Sequence, residues 1–112
     1  MAEPCIIPSE EFVRQAKRLA KKHKSLPDDL VVLQQTLLKN PFAGTNLGGG
    51  KRKIRLKVAS KGKGKRGGMR VITYNVVEAK EGVDVYLITI YDKSEFENVS
   101  DKYVDQIIKG LS

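Results

Sequence analysis

A chain of 112 residues has the length of one domain, enough to bury roughly two-thirds of its unfolded surface. Hydrophobic residues make up 40% and no low-complexity tract dominates, which excludes a disordered or fibrous chain; a single cysteine excludes an internal disulfide framework. The formal charge of +8, from 21 Lys and Arg against 13 Asp and Glu, favours a polyanionic partner, either nucleic acid or an acidic protein segment. No stretch approaches ~18 uninterrupted apolar residues, so no membrane span is expected. The start, MAEPCIIP, lacks the basic and apolar regions of a secretory signal, and a cytoplasmic protein is expected.

In chain order, Pro4 and Pro8 bracket the short apolar run Cys5 to Ile7, which predicts an edge strand. Ser9 predicts a helix N-cap, with Glu10 and Glu11 in the first turn where negative charge suits the dipole. Phe12, Ala16, Leu19, Ala20 and His23 then share one helical face. Ser25 to Asp29 predicts a second helix start, with Pro27 in its first turn. Leu30, Leu33, Leu37 and Leu38 form its buried stripe, and Asn40-Pro41 ends it. After a glycine-rich loop through Gly44 and Gly48 to Gly50, the period changes to two. Over 52 to 58, Ile54, Leu56 and Val58 take one side, and Lys53, Arg55 and Lys57 the other. The basic glycine-rich loop from Ser60 to Gly68 follows. A second strand is predicted over Met69 to Ala79, with a turn at Lys80 to Gly82. The nearly continuous apolar run from Val83 to Tyr91 predicts a strand covered on both sides. Ser100 and Asp101 then cap a last helix whose apolar side is Tyr103, Val104, Ile107, Ile108 and Leu111. The order predicts an α+β domain spanning 1–112, an antiparallel meander with its helices on one face.

The charge is not evenly spread. Residues 1–50 carry a net +2, residues 51–70 hold ten basic side chains and no acid, and residues 71–112 carry a net −4. Mutual repulsion within that central block is relieved by an anion.

Several chemistries are excluded by inventory. Cys5 and His23 alone cannot complete a zinc site, and no metal is expected. Cys5 reads as edge or core filler, and His23 as a helix-end cation or packing residue. The SKGKGKRGG loop lacks the spacing of a Walker motif and does not lead from strand to helix. Asp28, Asp29, Glu95 and Glu97 fall at a helix start and in a polar connection, where capping and solubility account for them. What remains is phosphate chemistry without a metal or other cofactor. RNA carries its own nucleophile, the 2′-hydroxyl, so a protein can cleave it by aligning that oxygen and offsetting the charge that grows on phosphorus. Lys53, Arg55 and Lys57 on one strand, with Arg70 early in the next, would form a suitable cationic cluster. Charge alone does not separate cleavage from simple RNA binding.

The strand KIRL (Lys53 to Leu56), the loop KGKGKRGG leading into MRVITY (to Tyr74), and YLITIYDKSEFENVS (Tyr86 to Ser100) together resemble the RelE/HigB superfamily of toxins from bacterial type II toxin–antitoxin systems. The helix hairpin followed by NPFAGTNLGGG (Asn40 to Gly50) is similar to one subgroup. The resemblance implies a small RelE-like domain, with an N-terminal helical hairpin on a curved antiparallel sheet and a C-terminal helix. It further implies metal-independent cleavage of mRNA on the ribosome, and suppression by a cognate antitoxin. Operator DNA would be contacted only through that antitoxin. Carried over residue by residue, it makes Lys53 and Arg55 the basic pair of the first meander strand. Arg70 becomes the phosphate binder of the transition state, Lys93 stands where relatives often carry arginine, and Tyr91 stacks on a base or assists proton transfer. Lys51, Arg52, Lys57, Lys61, Lys63, Lys65 and Arg66 are the expected contacts to the RNA backbone. The chain departs from the pattern in three places. Asn98-Val99-Ser100 stands where some relatives have a catalytic tyrosine, the HigB histidines are missing, and Arg66 replaces a common serine. Proton transfer would then fall to Lys or Tyr groups, which titrate near ~10 unless shifted. Two other readings fit the same residues: a ParE-like toxin that poisons DNA gyrase on the same scaffold, and a non-enzymatic RNA- or ribosome-binding module.

Overall fold

Ser9 starts the first helix as its residue type predicts. Its Oγ accepts from the Phe12 N–H at 3.0 Å and donates to the Ile88 carbonyl at 2.7 Å, capping the helix and tying it to the sheet. The computed structural model describes residues 3–61, 68–78 and 82–111. Strand β1 (Cys5–Pro8) leads into helices α1 (Glu10–Lys22) and α2 (Leu26–Lys39). Strands β2 (Thr45–Gly48), β3 (Lys51–Leu56), β4 (Met69–Glu78) and β5 (Gly82–Asp92) follow, then helix α3 (Asp101–Lys109). Among the described residues no helix is long and apolar enough to cross a membrane.

The α+β class, the helical hairpin and the β3-β4-β5 meander are as expected, with three differences. The sheet has five strands in the order β1-β5-β4-β3-β2, and β1 pairs parallel to β5, so the sheet is mixed. Strand β2 comes from residues expected in a loop; it is four residues long, fully exposed, and pairs with the edge of β3 through an irregular register. So short a strand, with no buried face, leaves no period-two pattern to read. Helix α3 does not join the other two helices. Phe12, Leu19, Leu26, Leu33 and Leu37 pack with Ile54, Leu56, Met69, Val71, Val85, Leu87 and Ile90 on one sheet face. Val104, Ile107 and Ile108 of α3 pack with Ile72, Ile88 and Tyr91 on the other. The continuous apolar run of β5 is the physical reason: both its sides need covering.

Two backbone features set the geometry of the α3 face. Gly68 has φ +88°, and a Cβ there would lie 2.8 Å from the Leu56 carbonyl oxygen, so glycine lets β4 begin hard against the end of β3. In β5 a bulge lies between the pairs Ile72–Thr89 and Thr73–Leu87, leaving Ile88 as the additional residue. Val85 and Leu87 before it share a face with Ile90 after it, while Ile88 and Tyr91 take the other.

Because Ser9 is 6% exposed and serves both as cap and as cross-link, Ser9→Ala is expected to cost about 1–2 kcal/mol. A urea titration reads this as a lowered midpoint with an unchanged slope.

Candidate nucleic-acid interface

The antiparallel register places Arg55 of β3 directly opposite Arg70 of β4, and Arg70 opposite Tyr91 of β5. Opposed residues point to the same face, so two guanidinium side chains and a phenol form one row across three strands, about 4.8 Å apart per strand. The next row holds Lys53, Ile72 and Thr89, which puts the Lys53 ammonium diagonally beside Arg55 and Arg70. Like charges directly opposed in a sheet are destabilising. No carboxylate relieves the Arg55–Arg70 pair among the described residues. The single hydrogen bond of Arg70 there runs from Nη1 to the Met69 carbonyl at 3.3 Å. An anion resting on this row would remove the repulsion. Tyr91 is buried, and burial pushes its phenol above the ordinary tyrosine range, with the Arg70 charge pulling weakly the other way. It is therefore a protonated donor at neutral pH.

The other expected cations are placed differently. Arg52 lies on the opposite face, its guanidinium 5.6 Å from the centre of the Phe42 ring, so it is not part of this cluster. Lys51 shares the face with Lys53 but pairs with Asp105 of α3 at 2.9 Å, a hydrogen bond that holds its ammonium above the ordinary range. Lys57 is exposed just beyond the end of β3, and Lys93 is half-buried in the turn after β5. Lys63, Lys65 and Arg66 lie outside the described residues. Lys61, expected among the RNA contacts, is paired within the fold: its Nζ donates to both oxygens of Asp92 at 3.1 and 3.0 Å. The same carboxylate faces His23 Nε2 at 3.4 Å and accepts from the Ser94 N–H and hydroxyl at 2.9 and 2.8 Å. Burial pushes the Asp92 carboxyl up, but Ser94 and Lys61 outweigh it and hold it below the usual carboxylate range. His23 is thus a helix-end packing residue beside this knot. Cys5 is exposed in the edge strand rather than buried in the core.

Two residues of this region escape sequence reasoning. Asp92 is a lone carboxylate at the end of an apolar strand, a signal that was available. Asn98 has no such signal, because it lies in a polar connection whose path cannot be read from composition. Its Oδ1 accepts from Lys53 Nζ at 3.0 Å and from the Val99 N–H at 3.1 Å, and stands 3.5 Å from the Tyr91 hydroxyl. Beyond Asn98 a cavity of about 780 Å³ opens between α1, the stretch of β5 past its pairing with β1, and the segment leading into α3; Glu11, Gln15, Tyr91 and Tyr103 are among its walls. Tyr103 donates to Glu11 there and accepts from the Thr89 hydroxyl at 3.0 Å, so one side-chain bond links α3 to the start of α1 across the end of the sheet. No group of three or more His, Cys, Asp or Glu side chains converges among the described residues.

A family profile described as the RelE toxin of the RelE / RelB toxin–antitoxin system matches residues 11–110. The fold is similar to that of the E. coli toxin RelE, solved in the free state as a mutant with two arginines changed to alanine. The TM-score is 0.58 at 14% sequence identity, covering 100% of both chains.

Proposed function

The chain belongs to the RelE toxin family, and from that premise we propose that it is the toxin of a type II toxin–antitoxin pair, acting as an endoribonuclease on mRNA held by the ribosome. The observation that carries this reading is the row of Arg55, Arg70 and Tyr91, unrelieved by any acid among the described residues, with Lys53 beside it. A phosphodiester fits that row. Two guanidinium groups on adjacent strands can each present paired donors to its non-bridging oxygens, where negative charge grows as the 2′-oxygen attacks phosphorus. The P–O5′ bond then breaks: the 2′-hydroxyl releases its proton to water, while the protonated Tyr91 phenol gives its own to the departing O5′ and is reprotonated from solvent. The products are a 2′,3′-cyclic phosphate and a 5′-hydroxyl. With neither carboxylate nor imidazole in the row, catalysis rests on alignment and charge stabilisation, which suits an enzyme whose substrate is oriented by the ribosome.

The partner implied is an antitoxin with an acidic stretch to cover the cationic row. An apolar cleft of about 460 Å³ between α1 and α2, lined by Phe12, Ala16, Leu30 and Gln34, would take the apolar side of an amphipathic segment. Since the cleft lies on the helical-hairpin face and the row on the other, two separate stretches of the antitoxin would be needed.

The test is a translating extract programmed with one message. The expected result is ribosome-dependent cutting with cyclic-phosphate ends. Gyrase-dependent DNA breaks with intact messages would point to the ParE-like activity instead. Strongly salt-dependent RNA binding with no cutting after long incubation would leave only a binding module.

A further inference from the structure

Lys53 belongs to the most crowded cationic region of the fold, with Arg55 two residues along the same strand and Arg70 on the next. An unrestrained ammonium there would swing toward solvent, away from its neighbours. Its partner is not a carboxylate, as for Lys51, but the amide oxygen of Asn98. The orientation of that amide is dictated chemically. An ammonium and a backbone N–H only donate, so the atom facing both must be the oxygen, and the amide nitrogen points elsewhere. The bond to Val99 N–H pins the amide, and the pinned amide in turn fixes the ammonium close to Tyr91. A neutral acceptor does what a carboxylate cannot: it holds the cation in place without cancelling its charge.

We propose that Asn98 is a positioning residue for Lys53, keeping a full positive charge beside the Arg55–Arg70–Tyr91 row for the RNA phosphate. This rests on the nuclease reading above and adds to it a residue that the cluster of cations does not contain.

The experiment compares Asn98→Ala and Asn98→Asp, alone and with Lys53→Ala, in the translating extract. Side-chain relaxation of Lys53 Cε is measured by NMR in parallel. Asn98→Ala should lower kcat about tenfold with KM within about twofold, since alignment is lost but charge is kept. Asn98→Asp should keep Lys53 ordered but raise KM, since the carboxylate neutralises the ammonium and repels the phosphate. In the Lys53→Ala background the cost of Asn98→Ala should fall below about twofold. The Lys53 Cε order parameter should drop in Asn98→Ala and hold in Asn98→Asp. Equal kinetic effects of the two substitutions, an undiminished cost without Lys53, or an unchanged order parameter in Asn98→Ala would each overturn the proposal. The relaxation measurement needs no catalysis. A wild-type protein that cuts nothing therefore sinks the nuclease reading, while the order parameter still decides whether Asn98 holds Lys53.

Discussion

Arg70→Ala is expected to lower message cleavage by at least about a hundredfold while leaving the protein folded. The split between activity and stability is what makes this substitution informative. Arg70 stands mid-row between Arg55 and Tyr91, and its one side-chain hydrogen bond among the described residues is a 3.3 Å contact with the preceding carbonyl. Truncating it leaves no buried partner stranded and removes a like-charge opposition, so the melting temperature should hold or rise slightly. Arg70→Lys should fall between the two, because an ammonium keeps the charge but not the paired donors of a guanidinium. Cleavage in the translating extract and thermal melts on the same preparations read both quantities. Wild-type cleavage by Arg70→Ala would show that the phosphate does not sit on this row.

The second large effect is on stability. Asp92→Asn is expected to cost about 2–3 kcal/mol, read from urea midpoints. The carboxylate side chain is 5% exposed and that of its partner Lys61 15%, so the substitution leaves a largely buried ammonium without its counter-charge. The penalty should depend on pH. The folded state holds the Asp92 carboxyl below its ordinary value of 3.8, so folding favours its charged form. That contribution is complete above the unfolded value and disappears as pH falls through the folded one. The gap between wild type and Asp92→Asn should therefore be constant near neutrality and close on acidification below about pH 4. A gap that stays open at low pH would mean that the charge of Asp92 is not what holds Lys61. Because Asp92 takes the side of the strand opposite to Tyr91, cleavage well below the melting temperature should survive the substitution.

What the sequence discloses is governed by how local each cause is. Ser9 and Ser100 act on N–H groups three residues ahead, and both caps form where the sequence expects them. Alternation in 52 to 58 separates Ile54 and Leu56 from Lys53 and Arg55 without reference to the rest of the chain. The charge block likewise points to Arg55 and Arg70 as neighbours once two strands pair. The remaining features depend on contacts distant in sequence. Lys61 reads as one more loop cation until Asp92, 31 residues later, arrives beside it. Arg52 reads as part of the basic strand until Phe42 covers it from the other face. Asn98 acquires a role only because its segment crosses toward a strand 45 residues earlier.

The bulge at Ile88 decides which of two adjacent side chains meets the arginines. Counting by twos from Val85 and Leu87 in an unbroken strand would send Tyr91 beneath the helical hairpin and turn Asp92 outward. Pairing the strand without the bulge, every residue kept, would change no charge in the protein. It would nevertheless invert the character of this surface, setting a carboxylate against two guanidinium groups and shutting the phenol away. One supernumerary residue in the ladder thus acts as a parity bit for the end of β5, offsetting the count so that Tyr91, and not Asp92, completes the row of arginines.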